Sequence, residues 1–146
     1  MARSILHPSD FSGASRAAFR KAIEMARSSR AELLIAHVLS PIVPVPGDGY
    51  VPPQMYDQLA SSSRAWAQKR LDALVAAAKK ARVRVRGFLL EGAPSEEIVR
   101  FARARRVEII VLGTHGRKGL AKLFVGSVAE RVVAAATCPV LTVRGK

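Results

Sequence analysis

The sequence has little cysteine and no long apolar run. A single cysteine, Cys138, occurs in 146 residues, which excludes an internal disulfide and a site built from several thiolates and is typical of a reducing compartment. No apolar run approaches the roughly 20 residues of a membrane-spanning helix, and the first apolar stretch is too short for a signal peptide. We therefore expect one cytoplasmic domain over residues 1–146, with no membrane partner and no metal site of its own.

Aromatic and acidic residues are also scarce. Aromatic residues make up 5% of the chain, which disfavours recognition of single-stranded nucleic acid by stacking. Only 11 acidic residues oppose 24 Lys and Arg, for a net charge of +13, and such a charge attracts polyanions. The basic residues are nevertheless spread among alanines, as at Arg16, Arg20 and Arg27, a pattern typical of solvated helix faces. We therefore do not expect nucleic acid to be a partner, although a basic nucleic-acid-binding protein stays an alternative function.

Apolar runs of strand length alternate with segments of helical periodicity. The Pro- and Gly-rich segment Pro41–Gln54 predicts a long loop. Trp66 is expected to pack its edge on the sheet. The predicted strands are Ser4–His7, Leu33–Leu39, Val83–Leu90, Val107–Leu112 and Pro139–Val143, and the predicted helices cover residues 12–29, about 56–81, 94–106 and 127–136.

This alternation predicts an α/β fold with an open five-stranded parallel sheet and helices on both faces. A Rossmann-like strand order of 3-2-1-4-5 makes strands one and four neighbours. Ligands of such sheets bind beyond the carboxyl ends of the strands, where the strand order reverses. Asp10 and Gly113 follow these two strands, so we expect them to meet in one crevice.

A spaced glycine motif follows the fourth predicted strand. Gly113 and Gly116 are separated by two residues, and Gly126-Ser127 follow after nine more. Glycines allow a backbone to approach an anion, and the first amides of a helix favour negative charge. The motif lacks the lysine of a Walker loop and the spacing of a dinucleotide fingerprint. It predicts a cradle for the phosphates of a nucleotide.

The whole chain resembles a universal stress protein of the single-domain, ATP-binding type. The resemblance is carried by Ile5–Ser12, by Ala36-His37-Val38 and by the glycine spacing. It implies an adenine nucleotide alpha hydrolase-like fold, a stress-response or regulatory function, and ATP or another adenine nucleotide as ligand, with Mg²⁺ as a possible companion of ATP. It also implies a homodimer joined through the last strand, and an apolar edge strand favours such pairing independently.

The resemblance assigns nucleotide contacts to individual residues. Asp10 would contact the ribose or the adenine, next to Pro8 and Ser9, and the backbone of Val38 would border the adenine. Ala129 stands where the family often has a hydroxyl residue. The phosphates would be wrapped by Gly113, Gly116, Gly126 and Ser127, with Val128 beneath them and His115 and Arg117 in the same loop.

Simpler roles remain open for several of these residues. Asp10 and Ser12 could cap the first helix without any ligand, and His115 could be merely solvated. His7 and His37 fit bonded, partly buried imidazoles, and Cys138 fits a small buried residue. Phosphoryl transfer needs a positioned metal ion and a group that orients the nucleophile, and we identify no second carboxylate near the cradle. We therefore predict no catalytic residue. Slow ATP hydrolysis is the other alternative function, beside nucleic-acid binding.

Overall fold

The computed structural model describes residues 3–41, 49, 51–114 and 126–145. Within these residues, strands and helices alternate, as the periodicity predicts. The strands are β1 (Ser4–Pro8), β2 (Glu32–Leu39), β3 (Val85–Glu91), β4 (Ile109–Thr114) and β5 (Val140–Arg144). The helices are α1 (Gly13–Ser29), α2 (Pro53–Lys80), α3 (Pro94–Arg105) and α4 (Ser127–Ala135).

All five strands are parallel, in the order β3-β2-β1-β4-β5. This confirms the predicted fold class and strand order. β1 pairs with β2 along its whole length, whereas its pairing with β4 is confined to Ile5 with Ile109 and Leu6 with Ile110. β1 and β4 therefore separate toward their carboxyl ends, and a crevice opens between them.

The core has two apolar layers, one on each face of the sheet. On one face, α1 and α2 pack through residues that include Phe19 and Leu71. On the other face, Ile98 of α3 and Val132 of α4 cover Leu6. Three buried alanines of α1, Ala18, Ala22 and Ala26, have small side chains, so the helix backbone lies close to the strands.

Two predicted strands begin too early in the sequence. Val83 and Val107 are buried, but each lies in a turn and donates its amide to a helix carbonyl, Val83 to Ala78 and Val107 to Ala102. This six-to-one bond is that of a Schellman motif, in which the residue after the left-handed position packs against the helix. An apolar residue in that position is easily mistaken in sequence for the first residue of a strand.

Other boundaries also differ from the prediction. α2 begins at Pro53, because proline suits the first helical turn, so the last two residues of the predicted loop are helical. β4 continues through Gly113, which pairs with Val143, so this glycine lies within the strand rather than after it. No helix among the described residues is long and apolar enough to cross a membrane.

Candidate functional site

A cleft of about 290 Å³ lies at the carboxyl ends of β1, β2 and β4, beside the first turn of α4. Eight of the predicted contact residues line it. The other three, His115, Gly116 and Arg117, lie outside the described residues. The eight are Pro8, Ser9, Asp10, Val38, Gly113, Gly126, Ser127 and Val128.

The cleft also has lining residues for which the sequence predicted no ligand contact. Some were within reach of sequence reasoning, because they adjoin predicted residues at the same strand ends. Pro94 and Ile98 come from α3, and no local motif marks them. The additional lining residues are Ser15, Ala36, His37, Pro94, Ile98, Leu112 and Ala129.

Asp10 is held in place by the turn that leads into α1. Its Oδ1 accepts hydrogen bonds from the amide of Ser12 at 2.9 Å and from the hydroxyl of Ser15 at 2.7 Å. Ser12 is itself the N-cap of α1 and accepts from the amide of Ser15. The capping role therefore belongs to Ser12, and the Asp10 carboxylate is fixed at the edge of the cleft.

Phe11 anchors the same turn from outside the cleft. Its φ of 66° lies in the left-handed region, which is unfavourable for a bulky residue. Its ring stacks on His37 with centroids 4.2 Å apart, and Arg70 donates to its carbonyl at 3.2 Å. Trp66 meets Phe11 edge-on and is 55% exposed, so the expectation that it packs on the sheet is wrong. The strained backbone is held by contacts from β2 and α2.

Ser9 and His37 connect the turn to β2. The Nδ1–H of His37 donates to the carbonyl of Ser9 at 2.7 Å, and the amide of Ser9 donates to the carbonyl of Ala36 at 2.8 Å. The prediction of a bonded, partly buried His37 is confirmed. These bonds fix the first strand end that borders the cleft.

His7 lies where β1 and β4 separate. It is fully buried, and its Nδ1–H donates to the carbonyl of Val111 at 2.9 Å, beyond the last paired residues of the two strands. Its Nε2 has no hydrogen-bond partner among the described residues. Burial lowers the pKa of His7 to about 4, against the opposing effects of the Val111 bond and the Asp10 charge. The imidazole is therefore neutral at pH 7, and it connects the two strands below the crevice.

The first turn of α4 forms another wall of the cleft. Gly126 is its N-cap, with φ of 77°, a left-handed conformation that favours glycine. Among the described residues no side chain caps this helix start, and its first amides and the positive end of the helix dipole lie at the cleft. Ala129 is 4% exposed and provides no hydroxyl. This wall suits an anionic group.

Gly113 has a packing role that is independent of any ligand. A Cβ at this position would lie 2.6 Å from the carbonyl oxygen of Ala14 and 3.1 Å from the Cα of Ser15. The start of α1 therefore packs directly on the backbone of β4. Gly145 meets the same residue, because a Cβ there would lie 2.7 Å from the Cα of Ala14.

The cleft combines three kinds of surface. Ala36, Val38, Ile98 and Leu112 supply apolar walls, Asp10 supplies a carboxylate, and α4 supplies amides. Within the described ranges, no three or more His, Cys, Asp or Glu side chains are grouped so that they could hold a metal ion. Cys138 is only partly buried, in contrast to the prediction, although this burial raises the pKa of its thiol.

Comparisons with known proteins agree on one family. The model of the universal stress protein family matches residues 1–144. Universal stress protein MJ0531 of Methanocaldococcus jannaschii is 35% identical over 144 residues, which cover 97% of this chain and 82% of that protein. The solved structure of MJ0577 has a TM-score of 0.82 at 26% identity and covers 100% of this chain and 98% of that one; MJ0577 is from the same organism.

More distant solved structures contain adenine nucleotides. An Arabidopsis thaliana protein of the family with AMP bound has a TM-score of 0.72 at 22% identity, covering 99% of this chain and 92% of that one. A universal stress protein in complex with cAMP has a TM-score of 0.71 at 22% identity, covering 99% of this chain and 98% of that one. The Archaeoglobus fulgidus protein in complex with dAMP has a TM-score of 0.67 at 23% identity, covering 97% of each chain. At these identities the likeness shows a shared fold.

Proposed function

Because the chain belongs to the universal stress protein family, we propose that it is a regulatory stress-response protein that binds an adenine nucleotide. ATP is the nucleotide that we propose first. The observation that carries the proposal is the cleft, which is lined by a fixed carboxylate, by apolar side chains and by the start of a helix. The AMP, cAMP and dAMP complexes of proteins with the same fold support the choice of ligand. The expected cytoplasmic location stays a prediction.

Each wall of the cleft suits one part of the nucleotide. The adenine would lie in the apolar slot next to Val38, and the Asp10 carboxylate would accept from the ribose hydroxyls. The phosphates would lie on the amides at the start of α4, beside Gly126 and Ser127. Mg²⁺ bound with ATP would neutralise phosphate charge, and its ligands from the protein would be few, since Asp10 is the one carboxylate among the described lining residues.

Ser127→Glu tests the phosphate position. Ser127 is exposed in the first turn of α4, where a carboxylate favours the helix but repels phosphate. By isothermal titration calorimetry, we expect ATP and AMP to bind Ser127→Glu at least about tenfold more weakly than wild type, a difference of ~1.4 kcal/mol. Adenosine, which has no phosphate, is expected to keep its affinity.

Ser127→Gln is the matched control, because it adds similar bulk without charge. It is expected to bind AMP within about threefold of wild type, a difference of less than ~1 kcal/mol. If wild-type protein binds none of ATP, AMP and cAMP at millimolar concentration, and no nucleotide copurifies with it, the proposed function is wrong.

We also propose a symmetric homodimer through β5. This strand is at the edge of the sheet and pairs with β4 alone among the described strands, so its outer edge is open to a second chain. Light scattering at working concentration is expected to give twice the mass of 15.7 kDa. A monomeric mass would contradict this part of the proposal.

A further inference from the structure

Positive charge is concentrated at the end of the sheet opposite the cleft. The parallel topology brings the last turns of α1, α2 and α3 to the starts of β1, β2, β3 and β4. Eleven exposed cations lie in the described residues of these segments, where Glu32 and Glu108 are the only carboxylates, and this leaves +9 of the total +13. We call these eleven residues the basic face: Arg3, Arg27, Arg30, Lys79, Lys80, Arg82, Arg84, Arg86, Arg103, Arg105 and Arg106.

Hydrogen bonds between neighbouring segments show that the basic face is continuous. The amide of Leu33 donates to the carbonyl of Arg84, and the amide of Glu32 donates to that of Arg3. The Arg84 guanidinium donates to the carbonyl of Arg30 at 3.0 Å. Residues that are widely spaced in the sequence, and therefore look dispersed, are brought together by the fold.

Helix dipoles account for only part of the basic face. Five of its members lie in the last turns of their helices, where a cation complements the negative end of the dipole. The other six lie beyond the helix ends, in turns or on strands, and need another explanation. These six are Arg3, Arg30, Arg82, Arg84, Arg86 and Arg106.

Three of these arginines occupy strained backbone positions. Arg30, Arg82 and Arg106 have φ of 56°, 63° and 52°, and each is the left-handed residue after a helix, where glycine or asparagine is usual. An arginine is found at all three turns, although glycine would relieve the strain. The repeated choice of a cation over a relaxed backbone indicates that the charge itself has a function.

Most of this charge is not neutralised within the described part of the chain. Ion pairs there join Arg86 to Glu32 at 2.9 Å and Arg3 to Glu108 at 4.0 Å. Arg105 lies over the Phe88 and Phe101 rings at 4.6 and 5.2 Å from their centroids. The Arg84 guanidinium donates to the uncharged carbonyl of Arg30, and the remaining exposed cations of the basic face have no acidic partner among the described residues.

We propose that the basic face binds double-stranded DNA through its phosphates, without reading sequence. Four strand starts span roughly 14 Å, and a helix layer adds about 10 Å on each side, so the face is wide enough for several phosphates of one duplex. Guanidinium groups bind phosphate oxygens in a bidentate manner. The aromatic rings there, Phe88 and Phe101, lie partly buried beneath Arg105, so the described residues of this face offer no open ring on which the bases of a single strand could stack.

A triple variant, Arg30→Gly with Arg82→Gly and Arg106→Gly, tests the proposal without endangering the fold, because glycine suits all three backbone conformations. The probe is a fluorescent 24-base-pair DNA duplex of mixed sequence, titrated with full-length protein across a salt series and followed by anisotropy. We expect the triple variant to bind at least about tenfold more weakly at low salt. We expect its salt slope to fall by up to about 2.7, since each phosphate contact contributes ~0.9.

The control variant removes three exposed cations outside the basic face, by Arg20→Gln, Lys69→Gln and Arg131→Gln. It has the same net charge as the glycine variant, and it is expected to bind within about threefold of wild type with nearly the same salt slope. Equal losses in the two variants would overturn the proposal, because net charge alone would then explain binding. Tighter binding to an RNA duplex or to a single strand of the same length, or no binding at low salt, would also overturn it.

Discussion

The two ends of the sheet differ in shape, in charge and in local backbone conformation. At the carboxyl end, the described residues form a recess lined by one carboxylate and by helix amides that none of their side chains caps. At the amino end, short turns project exposed cations from every described helix-to-strand connection except that between α4 and β5. The local backbone differs in the same way, since glycine occupies the tight positions near the recess and arginine occupies the left-handed positions at the other end. Four predictions test this contrast, in order of decreasing effect.

The first prediction concerns Gly113 at the recess. Gly113→Val is expected to destabilise the fold by at least about 3 kcal/mol, because the obstacle is the α1 backbone at Ala14 and cannot rotate away. Urea unfolding monitored by circular dichroism measures the change. Gly126→Ala is the comparison, since the nearest atom that a Cβ there would meet in the described part of the chain is 3.6 Å away, and the left-handed conformation costs about 1 kcal/mol. Similar losses in the two variants would show that Gly113 is not a packing residue.

The second prediction concerns the buried His7 between the two ends. Its pKa is lowered from 6.5 to about 4, so the unfolded chain binds more protons between these values and stability falls as the pH is lowered through this window. We expect His7 to contribute a loss of about 3 kcal/mol between pH 6.5 and pH 4. Its contribution is complete about one pH unit below 4, where His7 is protonated in both the folded and the unfolded chain.

His7→Asn isolates this contribution, because an asparagine amide can still donate to Val111 but does not titrate. The variant is expected to be less stable than wild type at pH 7 and to lose less stability between pH 6.5 and pH 4. Urea midpoints at three pH values measure the difference. Parallel pH profiles for the two proteins would rule out His7 as the cause.

The third prediction concerns the cap that holds the turn of the recess. Ser12→Ala removes the acceptor for the Ser15 amide and is expected to cost about 1 kcal/mol of stability. Thermal unfolding measures it, with Ser12→Asp as a control that keeps an acceptor. A loss of the same size in Ser12→Asp would mean that the cap is not the reason.

The fourth prediction concerns the opposite end and has the reverse sign. Arg106→Gly is expected to stabilise the fold by about 0.5 kcal/mol, since relief of the left-handed strain slightly exceeds the added entropy of the unfolded chain. Arg103→Gln, which is also exposed but lies within α3, should change stability less. A clear loss of stability in Arg106→Gly would remove the argument that arginine is retained there for its charge.

Most of the recess could be predicted from the sequence, whereas the basic face could not. The strand order and eight lining residues were predictable, because strand ends and the glycine spacing are local signals. The basic face was not predictable, because Arg30, Arg82 and Arg106 are far apart in the sequence. They come to the same end of the sheet only when three separate helix-to-strand connections fold. Trp66 was misplaced because α2 carries apolar residues on a part of the helix that is exposed in the structure, and periodicity does not show which turns of a helix reach the sheet.

The contact between Gly113 and Ala14 limits how this protein can change over evolution. Since the obstacle to a side chain at residue 113 is main chain, no substitution at residue 14 makes room for it, and a lineage that lost the glycine would have to shift a whole helix. Descendants would therefore keep this glycine whether or not they kept a ligand. A glycine found at this position in a relative would thus reflect the packing of α1 on β4, and it would not by itself be a sign that a nucleotide is still bound.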